Sequence, residues 1–281
     1  EVGRVCGWAP PETDFEERVQ ALCAGGLEGM ETLLQPCPTD QPPARPVVLH
    51  CWRGGLRSRS VIGFLRGIGL DRAVGLSGGY KAYRNQVLEG LQPWAGPKPV
   101  VLHGLTGVGK TLVLRAIEAM RPGWTVDLEA LAGHRSSILG MVGLEPCSQK
   151  TFDSRLFERL RGPIGANLVV EGESRKVGDV VLPPGLWEAM KGGRPLWLHA
   201  PVEERVRILL EDYLQHETNR EPLRRQLETL SSWLPKDVPW LEWYDSRQEP
   251  ELVRQLLERY YDPLYRHTFG EQDCLATIDS C

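Results

Sequence analysis

The sequence predicts an α/β protein built on a parallel sheet, and three observations carry that expectation. Short apolar or β-branched runs at 47–49, 100–102, 124–128, 168–170 and 196–199 alternate with stretches of helical period at Lys110–Met120, 151–160 and Val202–Leu214. Strands and helices in alternation build a parallel sheet whose crossovers are helices. Second, a glycine-rich stretch at 104–111 lies directly between one such strand and one such helix. Third, from 221 to 261 the pattern is helical and rich in charge, so a helical part follows the sheet.

At 281 residues the chain has room for two domains, each burying its own core. Proline-rich passages at 36–46 and 91–99 each precede an apolar run, and the second marks the natural boundary. The expected domains are therefore 1–95 and 96–281. With 25% charged and 41% hydrophobic residues, and no apolar run near the ~20 residues of a membrane span, a globular protein is expected and a membrane role is not. The seven cysteines are odd in number and contain no Cys-x-x-Cys pair, which points away from a disulfide framework or zinc ribbon and towards a reducing cytoplasm. No metal centre and no tightly bound cofactor are expected. A formal net charge of -4 argues against a protein that coats nucleic acid, while leaving room for a local basic surface. The sequence does not set an oligomeric state.

Around Cys51 the sequence runs Val47-Val48-Leu49-His50-Cys51-Trp52-Arg53-Gly54-Gly55-Leu56-Arg57-Ser58, a strand, a tight loop and a helix entry. Glycines at 54 and 55 let the loop curl with its N–H groups inward, and a helix beginning near Ser58 points its positive end at the same place. A thiol there would be held as thiolate, the nucleophilic form, with help from the guanidinium groups of Arg53 and Arg57. A cysteine merely packed at a strand end would not require those flanking residues. The second motif, Gly104-Leu105-Thr106-Gly107-Val108-Gly109-Lys110-Thr111, satisfies GxxxxGK[ST] in its required strand-to-helix context. Its amides and Lys110 suit phosphate oxygens, with Gly104, Thr106, Gly107, Gly109 and Thr111 completing the loop and the Thr hydroxyl suited to Mg²⁺. Whether those phosphates belong to a nucleotide or to another diphosphate stays open. Leu168-Val169-Val170-Glu171-Gly172-Glu173-Ser174-Arg175-Lys176 ends a strand on two carboxylates. Glu171 and Glu173 suit a metal or a water, whereas Arg175 and Lys176 suit phosphate or an RNA backbone.

The form Cys-Trp-Arg-Gly-Gly-x-Arg-Ser resembles the active-site loop of rhodanese domains, and more narrowly that of the tRNA 2-selenouridine synthases. Gly78-Gly79-Tyr80-Lys81-Ala82-Tyr83-Arg84 is similar to a further segment of that family, as are Glu171-x-Glu-Ser-Arg-Lys, Asp127-Leu128-Glu129-x-Leu131-Ala132-x-His134-Arg135 and Ser148-Gln149-x-x-Phe152. The resemblance implies a partial rhodanese-like domain followed by a P-loop NTPase-like parallel α/β domain with a helical C-terminal part. It implies a transferase that replaces the sulfur of wobble 2-thiouridine in tRNA with selenium from selenophosphate, through an S-geranylated intermediate made from geranyl diphosphate. Carried over, Cys51 accepts or relays selenium, and Arg53, Gly54, Gly55, Arg57 and Ser58 hold the donor. The loop from Gly104 to Thr111 then holds a diphosphate. Arg59, Arg66, Arg84, His134, Arg135, Arg175, Lys176, Arg205 and Arg207 are candidates for RNA phosphate, and Trp52, Tyr80 and Tyr83 for an extruded base.

The departure is at the front, where residues 1–36 carry neither the Asp-Val-Arg strand nor the Gly-His-x-x-Gly-Ala turn expected of the family. Together with a first residue other than methionine, this leads to the expectation of an N-terminally incomplete rhodanese part. Two other functions compete with the synthase: a P-loop kinase or NTPase with an appended sulfurtransferase domain, and a catalytically impaired tRNA- or diphosphate-binding remnant.

Overall fold

The computed structural model describes residues 46–162, 164–165, 167–172, 174–266 and 277–279. The expectation concerning residues 1–36 therefore lies outside the described residues. Two compact units divide the chain, Glu1–Gln86 and Val87–Cys281.

In the first unit, β1 (Val47–Leu49) leads through the cysteine loop to α1 (Leu56–Gly67), then β2 (Ala73–Gly75) and the start of α2 (Gly79–Leu91). The two strands pair in parallel, Val47 opposite Ala73 and Leu49 opposite Gly75, with α1 as the crossover. Ile62, Leu70 and Ala73 are buried with Val47, Leu49 and Leu65 packed around them. This small core fixes the end of β1, and with it Cys51.

In the second unit, β3 (Val100–His103) opens a sheet that also takes β4 (Thr125–Val126), β5 (Val169–Glu171), β8 (Arg194–His199) and β9 (Thr277–Asp279). The spatial order is β4-β5-β3-β8-β9, and every pairing is parallel. The connections are made by α3 (Lys110–Met120), α4 (Leu128–Ala132), α5 (Gln149–Arg161), α6 (Pro184–Lys191) and α7 (Val202–Leu214). Between β5 and α6 a hairpin of β6 (Lys176–Val177) and β7 (Val180–Val181) turns at Gly178, whose φ of 56° suits a residue without a Cβ. Leu102, Val108, Leu114, Val169 and Leu198 form the core of the sheet and α3, so the strand that feeds the glycine-rich loop is anchored on both sides.

The helical part follows as α8 (Arg220–Ser231), α9 (Trp240–Asp245), α10 (Glu249–Leu256), a π turn (Leu257–Tyr261) and α11 (Asp262–Arg266). Its own core gathers Leu223, Leu227, Leu230, Leu234, Trp240, Leu252 and Leu256.

Local chemistry sets several boundaries. The apolar run at 124–128 is strand only over Thr125–Val126, because the Asp127 carboxylate accepts the Ala130 N–H at 2.7 Å and starts α4 at once. Ser148 caps α5 by accepting the Thr151 N–H at 3.3 Å, a contact of the kind that stabilises a helix by about 1 kcal/mol. Among the described residues no helix is long and apolar enough to cross a membrane.

Candidate functional site

Cys51 stands just past β1 at the head of its loop. Its Sγ accepts the Gly55 N–H at 3.2 Å and lies 3.4 Å from the Ser58 hydroxyl, whose hydrogen is shared with the Gly55 carbonyl oxygen at 3.1 Å. These contacts favour the anion and lower the Cys51 pKa from an ordinary 9.0 to about 6, the Ser58 hydroxyl contributing most, with the amides of Ser58, Gly55 and Arg53 behind it. The sequence reading gave the guanidinium groups of Arg53 and Arg57 a share in this shift. They are not among its causes, and both residues are exposed.

The Gly78-Gly79 pair explains why two distant motifs belong together. Tyr80 N–H donates to the Cys51 carbonyl at 3.0 Å and Lys81 N–H to the Trp52 carbonyl at 2.9 Å, so the start of α2 holds the cysteine loop through the backbone. Gly79 has a φ of 62°, and a Cβ there would overlap the Cys51 carbonyl oxygen and the Gly54 nitrogen. A Cβ at Gly54 would meet the Leu76 carbonyl oxygen at 2.7 Å. Around this contact lie the rings of His50, Trp52, Tyr80 and Tyr83, with centroids 5.6 to 6.1 Å apart in successive pairs through Tyr80. Trp52 stays half-exposed at 49%, a free face beside the thiol.

Ser58→Ala removes the leading cause of the shift, so the Cys51 pKa is expected to move up from about 6 towards 9. Iodoacetamide alkylation followed against pH should reach half its maximal rate about one unit or more higher in the variant. An unchanged midpoint would show that the amides alone hold the thiolate. The same shift ties folding to pH: the folded-state pKa is depressed, so its stabilisation is fully present above the unfolded thiol's pKa and is lost as pH falls through about 6.

In the second unit the glycine-rich loop runs from the end of β3 to the start of α3. Gly107 and Gly109 have φ of 80° and 86°, which keeps the loop curled with α3 beginning at Lys110. The Lys110 ammonium donates to the Gly104 carbonyl at 3.2 Å, placing its charge across the loop. Thr111 Oγ1 donates to Glu171 Oε1 at 3.2 Å, and the other carboxylate oxygen accepts the Glu129 N–H at 3.1 Å. Glu171 is fully buried at the end of β5. His103, the last residue of β3, stacks on Trp197 at 5.4 Å, and burial together with the charge of Lys110 lowers its pKa. Burial raises the Asp127 pKa against the opposing effect of its Ala130 hydrogen bond and of Arg115.

Other candidates are already engaged. Arg135 pairs with Asp212 at 2.6 Å, donates to the Val142 carbonyl and lies over the Tyr213 ring. His134 accepts the Ser136 N–H at 3.0 Å, and burial lowers its pKa. Arg175 and Lys176 are exposed on the hairpin, Lys176 at 3.6 Å from Asp179. Arg66 donates to the Ala73 carbonyl, and Arg207 is pinned between Glu204 and Glu211. Glu173 lies outside the described residues.

Arg205 is the main correction, since an apparent helix-face charge proves to be 4% exposed. It forms a two-armed pair with Asp262 at 2.9 and 2.6 Å and donates through Nε to the Thr106 carbonyl at 2.8 Å. Its task is to hold the glycine-rich loop. The signal in the sequence was faint: the neighbours Val206, Ile208 and Leu209 show an apolar stripe, but nothing local names Asp262 as the partner.

A parallel sheet whose strand feeds a GxxxxGK[ST] loop, with the loop threonine tied to a buried carboxylate on the adjacent strand, defines a P-loop protein of the α/β class. The family model for the tRNA 2-selenouridine synthase AAA domain matches residues 97–234, which cover this sheet, the loop and α8. A relative named tRNA 2-selenouridine synthase in Hydrogenovibrio crunogenus is 32% identical over 263 residues, 81% of this chain and 70% of that protein. Relatives of the same name in Pseudomonas syringae pv. syringae and Cupriavidus pinatubonensis are 41% and 40% identical, covering 59% of this chain and 45% of each relative. The chain belongs to the tRNA 2-selenouridine synthase family. It spans about two thirds of the first of these relatives and less than half of the other two.

Proposed function

We propose that this chain carries out both steps of the exchange of sulfur for selenium at the wobble 2-thiouridine of tRNA. The observation behind the reading is the presence, in one member of this family, of a thiol held largely as thiolate at neutral pH and a phosphate loop with its carboxylate in place.

In the first step the thiocarbonyl sulfur of the base attacks C1 of geranyl diphosphate. The C–O bond breaks, diphosphate leaves with the electron pair, and the base loses its N3 proton. Lys110 and the loop amides bind the departing diphosphate, where charge accumulates. Thr111 and Glu171 supply the oxygen donors that Mg²⁺ takes when it is carried in with a diphosphate. In the second step selenophosphate adds through selenium at C2, geranylthiolate leaves, and water removes the phosphate from selenium. Cys51 and its amides, with Arg53 and Arg57, are assigned to this donor within a rhodanese-type part. Trp52 and Tyr80 offer stacking faces for an extruded base.

A second reading, nucleotide hydrolysis, is favoured by Glu171, because a buried strand-end carboxylate bonded to the loop threonine also serves an NTPase. One assay separates the two. Incubation with 2-thiouridine tRNA and geranyl diphosphate should give the S-geranyl nucleoside by mass spectrometry, and Lys110→Ala should slow it by roughly 100-fold. Phosphate release from ATP without tRNA, and no geranylated nucleoside, would decide for the NTPase.

A further inference from the structure

Next to the phosphate loop the second unit contains an apolar cavity enclosing about 630 Å³, its solvent-open mouth included. Thr106 of the loop forms part of its wall, and the rest is largely aliphatic, with Leu209 and Leu214 from α7, Leu223 and Leu227 from α8 and Leu252 from α10. The few polar groups in the lining are satisfied. Glu249 accepts from Arg220 at 2.7 Å, and the hydroxyls of Ser137 and Tyr213 lie 3.5 Å from each other.

This wall offers little to a nucleoside, whose sugar and base need polar partners. It suits a ligand with an anionic head and an apolar body. Head and body would be read by connected parts, because α7 serves both. Its Arg205 holds the Thr106 carbonyl, and one turn later Leu209 lines the cavity and lies where a Cβ on Gly107 would meet it at 3.0 Å.

We infer that this cavity is the site for the hydrocarbon tail of a diphosphate ester whose head occupies the phosphate loop, and that it selects the ester by the length of that tail. The inference rests on the reading of the loop as a diphosphate site and adds the residues that would choose among diphosphates.

The test is calorimetric titration of the full chain with inorganic diphosphate and with the dimethylallyl and geranyl esters. Burial of five further carbons should tighten binding by roughly 100-fold between the two esters. Leu227→Trp, which fills the cavity, should reduce that gain to less than about tenfold while leaving the affinity for inorganic diphosphate unchanged. The length series on the unaltered chain stands even if the variant folds poorly. Binding of inorganic diphosphate with no dependence on tail length would overturn the tail site alone. Failure of every diphosphate to bind would remove the reading of the loop and the tail site with it.

Discussion

Arg205→Ala is expected to destabilise the second unit by about 3–5 kcal/mol, the range found when one partner of a buried ion pair is removed. The cost arises because Asp262 stays behind, buried at 7% exposure, with neither arm of its guanidinium partner. The Thr106 carbonyl also loses its donor. For a unit of this size the loss should appear as a fall in melting temperature of roughly 10 °C. Stability and loop geometry can be read apart. Arg205→Met combined with Asp262→Leu removes both charges and should recover much of the stability, since a buried pair is often replaced by apolar residues at little cost. It should not recover affinity for diphosphate, because Thr106 remains unheld. If the double variant binds diphosphate like the original chain, Arg205 is a packing residue only.

The contrast between Arg205 and Glu171 shows what could be read from the sequence. Glu171 ends an apolar strand, so its place at the carboxyl edge of a parallel sheet followed from local pattern, and the structure puts it against Thr111. Helices Lys110–Met120 and Val202–Leu214 likewise begin and end where the apolar period does. Arg205 lies inside that second period, yet its burial depends on Asp262, 57 positions away and in another helix. Pairing at such a distance leaves no periodic trace. The strands of the hairpin, Lys176–Val177 and Val180–Val181, are too short to show alternation. The cavity is made of leucines that each read as ordinary core residues of α7, α8 and α10, and only their convergence beside Thr106 gives them a role. The Gly78-Gly79 pair was legible as a resemblance but not as geometry, since its partner is the backbone of residue 51.

Cys51 carries the second large effect. A thiol with a pKa of about 6 is mostly ionised at neutral pH, and its cradle of amides is built for an anion. Cys51→Ala leaves the phosphate loop of the other unit untouched, so the geranyl step should proceed while the selenium step falls by roughly a thousandfold. The most direct measurement is therefore nucleoside mass spectrometry after incubating 2-thiouridine tRNA, geranyl diphosphate and selenophosphate with the original chain and with Cys51→Ala. Selenouridine from the original chain, replaced by accumulated S-geranyl nucleoside in Cys51→Ala, is the expected result. Selenouridine formed equally by both proteins, or by neither, would contradict the assignment of both steps to this chain.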